Sequence, residues 1–86
     1  MNLKELRNRI DQLDEKVIKL IIERFEIVEQ IMSLKSEVED KNREKEILDK
    51  IRSLTENTGN QEFYNALYNS IFTESKRIQN KSGKQT

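Results

Sequence analysis

The sequence predicts an all-α protein with three helices per chain, of which one is long, one short and one of medium length. The chain has 86 residues, no Pro and only two Gly, so few residues interrupt a helix. Apolar residues in its first half recur at alternating steps of three and four, which is typical of a packed helix face. These residues, which we call the seam, are Leu3, Leu6, Ile10, Leu13, Val17, Leu20, Ile27, Ile31, Leu34 and Val38.

The seam predicts a first helix over residues 3–38. Asn2, followed three residues later by Glu5, resembles a capping box and places the helix start near Leu3. No Gly or Pro interrupts the helix before about Ser36, so we expect a turn between Glu37 and Lys41. Such a helix is about 54 Å long, whereas a compact chain of this size has a radius of gyration of about 12 Å. We therefore expect a dimer in which the seam of one chain covers the other.

Two shorter helices follow. Asp40 and Asn42 are candidate caps of the second helix, whose apolar face carries Ile47, Leu48, Ile51 and Leu54. It ends before residues 57–60, where Gly59 suits the left-handed conformation that often ends helices. The third helix begins near Gln61, and its predicted buried side carries Phe63, Tyr64, Leu67, Tyr68, Ile71 and Phe72. We expect one domain over residues 1–80 and a disordered polar tail over 81–86.

Composition excludes several classes of function. Lys plus Arg and Asp plus Glu number 16 each, so no overall charge favours nucleic acid or an acidic membrane surface. The chain has no Cys and no His, which argues against disulfides, thiol or imidazole chemistry and the usual zinc sites. No apolar run is long enough to span a bilayer and the N-terminus lacks the apolar core of a signal peptide, so we expect a cytoplasmic protein.

One charged residue breaks the seam. Arg24 occupies the position between Leu20 and Ile27 where the alternation calls for an aliphatic side chain. A guanidinium there costs several kcal/mol unless an anion pairs with it. Lys35 lies eleven positions further on, on nearly the same face and about 16 Å along the axis, so both cations can reach one small anion. Arg7 flanks the seam, and an antiparallel dimer would bring it near the middle of the partner chain.

Each of these cations can also be explained by a structural role that involves no ligand. A charged seam residue such as Arg24 often sets register or partner number in a coiled coil. Lys35 alone is more often a solvated lysine, and Arg7 more often half of an exposed ion pair.

Other polar residues lie on inward-leaning positions of the later helices. Asp40, Arg43 and Glu44 cluster at the start of the second helix, where acids also favour the helix dipole. Ser75 and Gln79 continue the packing face of the third helix, where they can also serve as interhelical hydrogen-bonding groups. Taken with the cations, this set of groups suits a pocket for a small dianion that carries a hydroxyl.

The ordered set of motifs resembles the all-helical chorismate mutases. The matching parts are LRNRIDQLDEKVIKLIIER at residues 6–24, Lys35, DKNRE at residues 40–44 and SKRIQ at residues 75–79. The resemblance covers about Leu3 to Asn80, nearly the whole chain. It implies an intertwined homodimer with two equivalent sites that converts chorismate to prephenate by an intramolecular Claisen rearrangement, without cofactor, metal or proton transfer.

The resemblance also implies a role for each candidate residue. Arg24, and Arg7 of the partner chain, would bind the two carboxylates. Ser75 would help to hold one carboxylate, and Arg43 would support the site without contacting the substrate. Lys35 and Gln79 would donate to the ether oxygen. Glu44 would accept a hydrogen bond from the ring hydroxyl, with the backbone of Asp40 nearby.

The connection from Lys35 to Asp40 is shorter than is usual in this family and lacks its Gly or Pro, so we expect the hydroxyl end of the pocket to be built differently. Two alternatives stay open. An isochorismate pyruvate lyase shares this fold and much of the charged set, although Glu44 favours the mutase. A non-catalytic dimerisation module would use Arg24 as a register device. No fused domain is recognisable, so we expect a stand-alone enzyme or a separately expressed domain.

Overall fold

A computed structural model describes residues 1–34 and 41–83 of the chain. These residues form three α-helices, which are α1 (Leu3–Met32), α2 (Lys41–Leu54) and α3 (Gln61–Gly83), and no strand occurs in the two described ranges. The all-α, three-helix prediction is therefore confirmed. Helix α3 includes the first three residues of the 81–86 segment that was expected to form a tail. None of the described helices is long and apolar enough to cross a membrane.

Helix α1 begins where the sequence predicted and ends earlier. The Asn2 side chain accepts a hydrogen bond from the Glu5 amide at 2.8 Å, which confirms the N-cap. The prediction of an unbroken helix to about Ser36 is wrong, because α1 ends at Met32. The Ser33 hydroxyl donates to the Gln30 carbonyl at 2.6 Å, and this side-chain bond offers the backbone an alternative to the next helical turn. Of the turn expected at 37–41, residues 37–40 lie outside the described residues, and Lys41 is already the first residue of α2.

The connection between α2 and α3 lies where the sequence predicted a break between helices. Asn42 lies inside α2 and so does not cap it, whereas Asp40 is outside the described residues. The Thr55 hydroxyl donates to the Ile51 carbonyl at 2.7 Å after the last turn of α2. Gly59 has a φ of 81°, a left-handed conformation that disfavours residues with a side chain. The side-chain Nε2 of Gln61 donates to the Arg52 carbonyl at 2.8 Å, and this bond joins the end of α2 to the start of α3.

Helix α3 packs against both other helices and carries most of the small core. Three apolar side chains are buried among the described residues, and these are Val28 of α1 with Ile71 and Phe72 of α3. The predicted buried side of α3 is thus correct for Ile71 and Phe72. It is wrong for Phe63, whose residue surface is 59% exposed, and for Leu67, because both lie toward the edge of that face.

The seam is not the face by which α1 packs within the chain. Every residue from 1 to 20 is exposed, including Leu13 and Leu20. The partly or fully buried positions of α1 are Ile21, Arg24, Phe25, Val28 and Met32. At about 100° per residue, this set is rotated by roughly a quarter turn from the seam. A single chain therefore leaves the seam uncovered, and its radius of gyration is 16.2 Å.

Candidate active site

A cavity of about 290 Å³ lies where the C-terminal third of α1 and the first turns of α2 meet α3. Its volume is close to the lower end of the range of small-molecule sites. All three helices line it, with the residues Arg24, Ile27, Val28, Ile31, Arg43, Glu44, Ile47, Phe72, Ser75 and Lys76. Half of these side chains are aliphatic or aromatic, so the cavity combines apolar walls with a few charged groups.

Four of the eight predicted site residues line this cavity. They are Arg24 from α1, Arg43 and Glu44 from α2, and Ser75 from α3. These four residues come from three separate helices, which meet around the cavity.

The other four predicted residues do not line it. Gln79 is half-buried on α3, one turn after Ser75 and about 6 Å further along the axis. Arg7 is exposed and lies 17 residues before Arg24, or about 25 Å along α1, so it cannot reach the cavity of its own chain. Lys35 and Asp40 lie outside the described residues. The prediction that one helix runs from Arg24 to Lys35 is wrong, because α1 ends at Met32.

Arg24 is held by aromatic rings and not by an acid. The central carbon of its guanidinium lies 5.8 Å from the ring centroid of Tyr68 and 5.9 Å from that of Phe72. None of the ion pairs among the described residues involves Arg24. Ring faces attract a cation without removing its net charge, so the N–H groups of Arg24 keep their capacity to bind a carboxylate.

Glu44 forms an ion pair with Lys76 across the interface between α2 and α3. The Lys76 Nζ lies 3.4 Å from the Glu44 Oε2, and the two side chains are 34% and 24% exposed respectively. The sequence analysis missed Lys76, because a single lysine on a helix is usually solvated. Its position one turn after Phe72 on α3 was the available signal.

Ser75 is buried, with 5% of its surface exposed, and its hydroxyl is already engaged. The Oγ donates to the Ile71 carbonyl at 2.9 Å within α3. A serine hydroxyl has one proton to donate, so it must leave this bond before it can donate to a ligand carboxylate. In its present rotamer it can only accept from a ligand.

Arg43 and the apolar lining complete the cavity. The Arg43 side chain is exposed and lies 3.7 Å from the Glu46 carboxylate in the same helix. Val28, the most buried residue of α1, was missed because it lies off the seam. No group of three Asp, Glu, His or Cys side chains suited to a metal occurs within residues 1–34 and 41–83.

Three helices around an apolar-walled cavity, lined by a guanidinium that no acid of the described residues pairs with, define an all-α protein with a candidate small-molecule site. The family profile of chorismate mutase type II matches residues 6–80, so the chain belongs to that family. A chorismate mutase of Methanocaldococcus jannaschii is 39% identical over 56 residues, which are 60% of this chain and 57% of that protein. The matched region thus spans little more than half of that relative. No solved structure matches the chain.

Proposed function

We propose that this chain is a chorismate mutase, which converts chorismate to prephenate for phenylalanine and tyrosine biosynthesis in the cytoplasm. The observation that carries the proposal is Arg24, which lines the cavity with no acid of the described residues paired to it, in a chain of this family. Chorismate is a dicarboxylate with a ring hydroxyl. In the cavity, the Arg24 guanidinium can bind a carboxylate and the Glu44 carboxylate can accept a hydrogen bond from the hydroxyl.

The reaction explains why such a site needs no titrating group. In the Claisen rearrangement the ether C–O bond breaks while a C–C bond forms within one molecule, and no proton moves. A catalyst therefore acts by holding the compact chair-like conformer and by stabilising the negative charge that grows on the ether oxygen. In the proposal Arg24 binds one carboxylate, and Lys35 and Gln79 donate to the ether oxygen.

The remaining candidate residues have supporting parts in the proposal. Glu44 accepts from the ring hydroxyl, near the Asp40 backbone. Ser75 releases its bond to Ile71 and donates to a carboxylate, while Arg43 stabilises the site from its exposed edge. These roles are supported by the cavity positions of Arg43, Glu44 and Ser75.

We further propose an intertwined homodimer in which Arg7 of one chain completes the site of the other. Three observations support the dimer. The seam is exposed in a single chain, the core is small, and the radius of gyration of 16.2 Å exceeds the value of about 12 Å for a compact chain of this length. The distance of about 25 Å between Arg7 and Arg24 supports a contribution across the interface, because one chain cannot bring both to one cavity.

The direct test is the loss of chorismate absorbance with purified protein, together with detection of prephenate. We expect turnover that survives a metal chelator. A parallel assay with isochorismate and pyruvate detection tests the lyase. Pyruvate release with no loss of chorismate would replace the mutase proposal, and inactivity in both assays would favour a dimerisation module.

A binding measurement gives a second test. A bicyclic dicarboxylate that mimics the transition state should raise the melting temperature by mass action, since it binds the folded protein alone. The Arg24→Leu variant is the control, and its melting temperature should not respond to the same compound.

A further inference from the structure

The ion pair between Lys76 and Glu44 joins two helices, unlike ion pairs within a single helix. Lys19 with Glu15 and Arg77 with Glu74 each join residues of one helix, and the cation of each pair is mostly exposed. Lys76 and Glu44 belong to different helices and both line the cavity. With about a third or less of each side chain exposed, water and salt screen this pair less than a surface pair.

We infer that Lys76 is a positioning residue, which holds the Glu44 carboxylate on the cavity wall so that it can accept a hydrogen bond from a ring hydroxyl of the ligand. The inference rests on the proposed function, because it names the group that fixes the hydroxyl acceptor of that same site. It predicts that Lys76 contributes to recognition of the hydroxyl and not to that of the carboxylates.

The geometry of the carboxylate supports this role. The ammonium of Lys76 contacts Oε2, and Oε1 makes no hydrogen bond or ion pair with any other residue in the described parts of the chain. An ionised carboxylate has about four lone-pair sites, so the pair with Lys76 leaves acceptor capacity for a ligand. A glutamate side chain has several rotatable bonds, and an ion pair that restricts them lowers the entropy lost when the ligand binds.

Two other roles for Lys76 make different predictions. If the ion pair only fastens α2 to α3, its loss lowers stability and affects all ligands alike. If Lys76 itself binds a ligand carboxylate, its loss weakens every dicarboxylate, with or without a hydroxyl.

The experiment therefore compares two bicyclic dicarboxylate ethers that differ only in the ring hydroxyl. Lys76→Met removes the charge and keeps the length of the side chain. It should weaken the hydroxyl-bearing compound roughly tenfold, as loss of a hydrogen bond to a charged group does, and the hydroxyl-free compound by less than about twofold. Lys76→Arg, which keeps the cation, should recover much of the lost affinity. Arg77→Met removes a cation from an exposed pair on the same helix and should leave both affinities near those of the wild type.

A double-mutant cycle completes the test. In a Glu44→Gln background, Lys76→Met should have little further effect, because the carboxylate that it positions is gone. Equal losses for both compounds, no loss for either, or an additive effect with Glu44→Gln would overturn the inference. If the wild-type protein bound neither compound, the proposed function itself would fail and the inference with it. If the wild type bound both and Lys76→Met left them unchanged, only the inference would fail.

Discussion

The guanidinium of Arg24 lies over the ring of Tyr68, with its central carbon 5.8 Å from the ring centroid. This contact joins α1 to α3 at the edge of the cavity. It orients the Arg24 guanidinium on α1 without supplying a negative charge. The aromatic residues of α3, which the sequence suggested only as core, thus also hold the residue that we propose as a substrate carboxylate ligand.

Loss of the Tyr68 ring should weaken binding through Arg24. We expect Tyr68→Leu to weaken a bicyclic dicarboxylate by roughly fivefold, since a partly desolvated cation–π contact contributes about 1 kcal/mol. Tyr68→Phe keeps the ring and is the matched control, with affinity near that of the wild type. Isothermal titration calorimetry measures both. An equal loss in the two variants would assign the effect to the tyrosine hydroxyl and not to the ring.

Replacement of Arg24 should separate activity from stability. Arg24→Leu removes a half-buried cation and continues the aliphatic seam, so we expect a gain of about 1 kcal/mol in unfolding free energy and a loss of chorismate turnover of roughly a hundredfold or more. Thermal unfolding and the chorismate assay measure the two effects. Arg24→Lys keeps a charge but lacks the planar fork and should be impaired as well. Normal turnover in Arg24→Leu would contradict the proposed site.

Lys35 and Gln79 should act on the transition state. Loss of one donor to a developing oxyanion typically costs about 3 kcal/mol, so Lys35→Ala and Gln79→Ala should each lower kcat by roughly a hundredfold or more. Sedimentation velocity should show an unchanged dimer for both. A variant with near-normal turnover would lose its assigned role.

Arg7 and Arg24 should complement each other between chains. Arg7→Ala and Arg24→Leu homodimers should both be almost inactive. Dimers that contain one chain of each kind hold one site with both wild-type residues, so an equal mixture, co-expressed or refolded together, should regain about a quarter of wild-type activity. No recovery, with mixed dimers demonstrated by native mass spectrometry, would show that Arg7 does not act across the interface.

A charge on the seam should prevent assembly. Leu13 is 57% exposed in a single chain, and the dimer proposal buries it. Leu13→Glu should therefore dissociate or unfold the dimer, as measured by sedimentation and circular dichroism. Lys19→Glu alters charge on a different face, in a mostly exposed pair with Glu15, and should change little. A folded, stable dimer of Leu13→Glu would contradict the role of the seam.

The parts of the fold that could be predicted from sequence depend on the spacing and type of residues close together in the chain. The three helices, the Asn2 cap and the left-handed Gly59 follow from spacing and residue type. The end of α1 at Met32 was missed because no Gly or Pro marks it.

Part of the candidate site could be predicted where a residue type departs from the local sequence pattern. Arg24 stood out because it interrupts an aliphatic series, and Glu44 and Ser75 followed from the family motifs. Val28 was missed because it lies on the face of α1 that packs within the chain. The regular apolar spacing instead predicted the seam, which lies on a different face. Lys76 was missed because its ion-pair partner Glu44 lies on α2, and no pattern within α3 contains that information.

If the proposed dimer covers the seam of α1, the concentration of the protein determines how much of it is active. A chain that has not met a second copy keeps its apolar surface open to proteases and to aggregation. If pairing is what protects it, usable catalyst at low expression would rise more steeply than the amount of polypeptide synthesised. A cell could then adjust flux through this step disproportionately with modest changes in translation.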